Sequence, residues 1–171
     1  GTTGIGINVN KVAEVLGEDA PVGSLDLIFN PENMEKLAQC GVYFLDAPTE
    51  IIPAALAYLG EAPDSQDPDV LRMAEPVLTA VAPYVLKYHS SEYINALANG
   101  DICVAFGWSG DILQARDRAD EADNGVEIAY NAPSEGALMW FDQMAIPVDA
   151  PNPDGAHKFL NFIMDAENMA A

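Results

Sequence analysis

Apolar and polar positions alternate in short blocks along this chain, and the period switches repeatedly between two and about 3.6 residues. "TTGIGINVN" alternates as a strand does, and "NKVAEVLG" follows as a short helix closed by Gly17. "PENMEKLAQCG" reads as a second helix, closed by Gly41, "VYFLDA" as a strand, and "PTEIIPAALAYLG" as an apolar helix ending at Gly60. The turn-rich "EAPDSQDPD" predicts a surface loop. "VLRMAEPVLTAVAPY" has helical spacing, with Pro76 expected to kink or interrupt it. "YVLKYH" predicts a short strand, and Ser91 the cap of a helix over "SEYINALANG". "ICVAFGW" is a continuous apolar run of strand length, as expected of a strand covered on both faces. "SGDILQARDRADEA" predicts an exposed helix, and "VEIAYNAP" and "GALMWFDQMAIP" predict strands. "NPDGAHKFLNFIMDAENM" predicts an amphipathic helix with Phe159, Phe162 and Ile163 on one side.

Repeated strand–helix alternation places the chain in the α/β class, as a three-layer sandwich around a mostly parallel sheet. At 171 residues it can bury a substantial core. No internal repeat or low-complexity segment interrupts it, and no apolar run approaches the ~20 residues of a membrane-spanning helix. The chain starts at Gly1, directly in a strand-like segment, as a processed or excised piece would, so the missing signal peptide carries no information.

Charge narrows the possible partners. The chain has 27 acidic and 7 basic side chains, a net charge of −20. A phosphate backbone would be repelled, and no Lys/Arg footprint exists to release its counterions, so nucleic acid is excluded as a partner. Two readings remain, a cationic ligand steered by the field or a generally acidic, soluble surface. Cys40 and Cys103 lack any CxxC or Cys/His spacing, so no metal site is expected. Composition leaves open whether they form a disulfide or remain two core thiols.

In α/β sheets, ligands sit beyond the carboxyl ends of strands. Trp108 ends an apolar strand there, and Ser109-Gly110-Asp111 opens the next helix. Ser109 and Asp111 are readable as a helix cap and a dipole partner, yet a cap needs no neighbouring indole. Trp140 and Asp142 stand two apart, on one face if their segment is a strand. A buried carboxylate needs a partner, and internal cations are scarce. Glu50 lies early in a helix, where acids are common, with Asp46 the expected cap. Together, three carboxylates and two indoles at strand ends suit an elongated diamine with an apolar middle. The same acids could serve as the general acid and base of a glycosidase-like hydrolase. Against catalysis, neither His89 nor His157 has an evident Ser or Cys partner.

The stretches "GTTGIGINVNKV", "CGVYFLDAPTE", "HSSEYINALANGDICVAFGWSGD" and "GALMWFDQMAIP" resemble the periplasmic polyamine-binding proteins of ABC importers, the putrescine and spermidine receptors. The Trp-x-Gly-Asp and Trp-x-Asp elements carry the likeness, which weakens over residues 61–84. The resemblance implies a non-enzymatic periplasmic receptor without cofactor that docks on a membrane permease. It implies ligand contacts at Glu50, Trp108, Asp111, Trp140 and Asp142, with Ser90 or Ser91 nearby. Indoles would pack along the alkyl chain and acids would bind the amino groups. Some putrescine-preferring members carry phenylalanine where this chain has Trp140, which leans toward spermidine. The family pattern also implies a Cys40–Cys103 disulfide. Related lobes bind anions, iron or sugars, but the acids and indoles argue against an anion.

Family members run to about twice this length, with an amino-terminal lobe before the part matching Gly1. The resemblance therefore implies a carboxy-terminal lobe over residues 1–137 and a crossover strand over 138–147. Residues 148–171 would return to a helix normally associated with the other lobe. An isolated chain of this kind is expected to bind polyamine weakly or not at all, and its exposed apolar surface could drive dimerisation.

Overall fold

A computed structural model describes residues 1–169. The chain divides between Trp140 and Phe141 into two compact units. In the first, β1 (Thr3–Asn8) leads directly into α1 (Val9–Leu16), followed by α2 (Asp26–Phe29) and α3 (Pro31–Leu37). Next come β2 (Val42–Phe44), α4 (Pro48–Tyr58), α5 (Pro68–Arg72), α6 (Ala74–Val81) and β3 (Lys87–Tyr88). The unit continues through α7 (Glu92–Ala98), β4 (Val104–Trp108), α8 (Ser109–Ala122) and β5 (Ile128–Asn131). The second unit holds α9 (Pro153–Ile163) and α10 (Ala166–Met169).

Local chemistry accounts for many of these boundaries. Asn8, Asn30, Asp67 and Asn152 each accept a backbone N–H at a helix start, and in the last three cases proline occupies the first turn. Gly41, at φ 88°, makes the left-handed turn between α3 and β2. Pro76 does not break a helix. The interruption falls at Met73, which leaves Pro76 in the first turn of α6, where its missing N–H costs nothing. Ser91 makes no side-chain cap, because His89 Nδ1 accepts the N–H groups of Ser91 and Glu92 at 3.2 and 3.1 Å. Ser109 is likewise not the cap. Trp108 occupies that position, and Ser109 Oγ instead accepts the Thr2 N–H at 3.2 Å. Asp46 does not cap α4 either, whose N-cap is Ala47 without a side-chain bond. The short helix α2 carries no periodic signal of its own.

The sheet order is β3-β2-β4-β1-β5. β2 is parallel to β3 and β4, whereas β1 is antiparallel to both β4 and β5. Four strands thus point one way and β1 alone opposes them, so the sheet is mixed rather than purely parallel. Helices cover both faces. Ile5, Phe44, Val104 and Phe106 pack with α1–α4 and α6 on one side, and Ala105 packs with Tyr93, Leu97, Ile112 and Ala115 of α7 and α8 on the other. β4 is buried on both faces, as its apolar run predicts.

The segment "GALMWFDQMAIP" does not form the expected strand. Only Met139 makes a bridge, to Thr2, flanked by Thr3 N–H to Leu138 O and Trp140 N–H to Gly1 O, both 3.0 Å. β5 already occupies this edge of β1 from Ile5 onward, so only its first residues are left to pair. In the second unit, α9 buries none of its residues, and Phe159 and Phe162 are exposed.

Cys40 and Cys103 form a disulfide with Cα atoms 5.4 Å apart, tying the end of α3 to the start of β4 across 63 residues. Closing a loop of that length removes roughly 4 kcal/mol of unfolded-state entropy. Reduction, or replacement of both cysteines by alanine, is expected to lower the melting temperature by roughly 10 °C. Thermal unfolding with and without reductant checks this.

Glu135 fastens the loop after β5 to the start of α2. Its carboxylate accepts from Ser24 Oγ, from the Leu25 N–H at 3.1 Å and from Ser134 Oγ at 3.1 Å. Burial alone would raise its pKa, but these donors outweigh burial and hold it below the usual glutamate value. The stabilisation is therefore present above the unfolded pKa of about 4.3 and is lost as pH falls through the folded value. Glu135→Gln should destabilise the protein at neutral pH and converge on the wild type in acid, as urea titrations across pH would show.

Candidate functional site

The carboxyl ends of β2, β3, β4 and β5 and the amino end of β1 meet at one end of the sheet. Thr3 lies opposite Trp108 in the β1–β4 register. From this end the chain presents Glu50, at the third position of α4, and Asp111, at the third position of α8. Trp108 is half-buried at the end of β4, and Trp140 reaches the same end because its backbone pairs with Gly1. A Cβ at residue 1 would come within 2.5 Å of the Trp140 ring, so the indole lies directly over Gly1. The structure thus brings Glu50, Trp108, Asp111 and Trp140 to one end of the sheet. Asp142 falls in the second unit, where it is exposed, and it shares no strand face with Trp140. Ser90 and Ser91 follow β3 at the same sheet end.

Hydrogen bonds fix both carboxylates in this unit. Thr3, itself buried, donates its hydroxyl to Glu50 Oε2 at 2.5 Å. Tyr93, fully buried, donates to Asp111 Oδ2 at 2.6 Å and accepts the Trp108 N–H at 3.2 Å. Burial raises the Tyr93 pKa, and the bond to Asp111 raises it further, so the hydroxyl stays a neutral donor throughout the working pH range. Thr3 and Tyr93 were not among the residues singled out by sequence. The available signal was Gly107, a glycine inside a strand, which marks close approach by another group. That group is Tyr93, whose Cε2 would lie 2.6 Å from a Cβ at residue 107.

The face is strongly uncompensated. Among the described residues, the ion pairs join Arg72 to Asp69, Lys87 to Glu92, His89 to Glu92 and Arg116 to Asp117. None involves Glu50 or Asp111. Apolar pockets flank α4, among them one of about 430 Å³ at its start, bounded by Pro48, Ile52, Pro63 and Leu71, and one of about 230 Å³ along its middle, reaching Thr3 and Phe106. Neither is lined by Trp108, Asp111 or Trp140, so the acids and indoles stand on an open surface beside these pockets. Among the described residues no cluster of three His, Cys, Asp or Glu groups could hold a metal.

Residues 11–171 match the model of the bacterial extracellular solute-binding protein family. The chain belongs to this family. The putrescine-binding periplasmic protein SpuD of Pseudomonas aeruginosa is 57% identical over 99% of this chain and 46% of its own length. The putrescine-binding periplasmic protein PotF of Escherichia coli is 53% identical over the same shares. The crystal structure of the spermidine/putrescine ABC transporter substrate-binding protein PotD from Streptococcus pneumoniae, 24% identical, superposes with a TM-score of 0.74 over 98% of this chain and 47% of its own, which shows a shared fold. The chain therefore spans about half the length of the curated relatives it matches.

Gly107→Ala would drive a methyl group into the Tyr93 ring. Overpacking of this kind costs about 1–3 kcal/mol. Denaturant titration is expected to show that loss, with the near-ultraviolet tyrosine signal altered as the ring shifts.

Proposed function

We propose that the protein is the polyamine-capturing receptor of an ABC importer, acting in the periplasm and handing its ligand to a membrane permease. One observation carries this reading: Glu50 and Asp111 stand at one sheet end without a cationic partner among the described residues, and two indoles reach the same end. A primary ammonium group offers several donors to a carboxylate, and the ring faces attract the positive alkyl-ammonium chain. Asp142 belongs to the same ligand set in this reading. The names of the two relatives support putrescine, whereas Trp140 offers a broad face for the longer spermidine. Both share the chemistry of an alkyl chain with charged ends.

Residues 1–137 act as one lobe in this reading, 138–147 as a crossover, and 148–171 as a segment that packs with a second lobe. Glu50, Trp108 and Asp111 then form one wall of the site, and the opposite wall belongs to the length of the relatives that this chain does not span. Binding occurs without turnover. The dimer expected from exposed apolar surface gains no support from the relatives.

Titration by calorimetry and by NMR shift changes tests the assignment. Putrescine and spermidine should bind the 171-residue chain weakly, in the millimolar range at best, or not at all, and 1,4-butanediol should not bind. Asp111→Asn should weaken binding roughly 10- to 100-fold, since hydrogen bonds to charged groups contribute about 1.5–3 kcal/mol. Equal response to the uncharged diol, or unchanged affinity in Asp111→Asn, would overturn the polyamine reading. Submicromolar affinity in this chain would overturn the one-wall reading, and product formation would point to a hydrolase.

A further inference from the structure

We propose that Tyr93 is a positioning residue for ligand capture, setting the carboxylate of Asp111 and the backbone of Trp108 through one hydroxyl. The inference rests on the polyamine reading, because it names how that face is prepared for its ligand. Three observations carry it. Tyr93 Oη bonds both residues at once, donating to Asp111 Oδ2 at 2.6 Å and accepting from the Trp108 N–H at 3.2 Å. The ring is wholly buried, and Gly107 clears the surface of β4 against which it lies. Asp111 Oδ1 takes no hydrogen bond among the described residues, so one oxygen is fixed while the other faces outward, available to a donor.

The chemistry of the fixing group matters. A lysine or arginine at this place would hold Asp111 equally well but would cancel its charge and compete with an ammonium ligand. A neutral hydroxyl orients the carboxylate and leaves its charge in place. The other acid of the face is held the same way, with buried Thr3 donating to Glu50 Oε2 and no bond recorded at Oε1 among the described residues. Two independent elements, β1 and α7, thus supply neutral donors to the two acids. Preorganisation of this kind lowers the ordering cost at binding. The same hydroxyl couples the acid to the indole: a shift of Asp111 is transmitted through Tyr93 to the backbone of Trp108.

Tyr93→Phe removes the hydroxyl and keeps the ring. In the ligand-free chain, two signals should change: the Trp108 amide should exchange with solvent at least tenfold faster, and the Asp111 carboxyl carbon resonance should move. Amides at Val104–Phe106 should keep their protection, and the thermal transition should remain cooperative. With putrescine as the probe, NMR titration should show affinity about tenfold weaker, the scale of one lost hydrogen bond to a charged group. In an Asp111→Asn background, Tyr93→Phe should cost little more, because its effect acts through Asp111. An equal loss in both backgrounds would show a merely structural role, and unchanged Trp108 exchange together with an unmoved Asp111 resonance would overturn the proposal. If wild type does not respond to putrescine, as weak or absent binding by one wall allows, the two ligand-free signals alone decide whether Tyr93 sets this pair, and an equal response to 1,4-butanediol remains the result that overturns the polyamine reading.

Discussion

β1 runs against the other four strands, and the candidate face is built around that reversal. A strand parallel to its neighbours would send its amino end to the opposite edge of the sheet. Because β1 is reversed, Thr3 arrives beside Trp108, within reach of Glu50, at the edge where the other strands finish. The same reversal lets Gly1 pair with Trp140 and brings that indole to the acids. Burial on both sides of the sheet holds β1 in place. Ile5 and Ile7 are core residues, and both edges of the strand are hydrogen-bonded, to β4 and to β5. The disulfide adds a covalent tie to β4, the strand on which β1 registers.

Given that frame, the acids are oriented by neutral donors and not by basic side chains. A buried carboxylate is costly unless it is paired, and pairing with lysine or arginine is the usual remedy. This chain has only 7 basic side chains for 27 acids. Glu50 and Asp111 are instead half-exposed and held by hydroxyls, a compromise that limits desolvation and fixes direction without neutralising charge. The net charge of −20 acts on top of this by raising the local concentration of cations around the molecule, an effect that falls with salt.

The sequence was legible where a residue acts through its own neighbours. Gly17, Gly41 and Gly60 mark the turns that the helical periods anticipate, and the apolar run into Trp108 is the doubly covered strand it was read to be. Trp108 and Asp111 could be paired from four consecutive residues because strand end and helix start are local events. Direction and partnership were not legible. Nothing in "TTGIGINVN" says that it opposes its neighbours, since alternation is the same in either sense. The strand expected around Trp140 and Asp142 depended on a free sheet edge, and β5 occupies nearly all of it. Caps failed for a similar reason. Ser91 and Ser109 have the right residue type, but His89 and the Thr2 backbone, each placed by tertiary structure, changed what they bond. A tyrosine on the apolar side of "EYINALA" reads as core, which Tyr93 is. Its hydroxyl gains meaning only once Asp111 is 2.6 Å away.

The openness of the face then bears on how strongly one unit can hold a cation. Two unit charges 4 Å apart attract by about 1 kcal/mol in bulk water but about 4 kcal/mol where the effective dielectric is near 20. Glu50 and Asp111, on a surface that the neighbouring pockets do not enclose, lie nearer the first limit. The indoles face the same restriction, since cation–π attraction grows from under 1 to about 2 kcal/mol only on desolvation. Covering the face would therefore strengthen every contact at once, without adding a single new acid. In the receptor proposed above, the direction of each carboxylate and the lie of each ring would set specificity. Affinity in that proposal would depend on how far the face is covered, whereas neutral positioning groups such as Thr3 and Tyr93 already hold the two acids within this one unit.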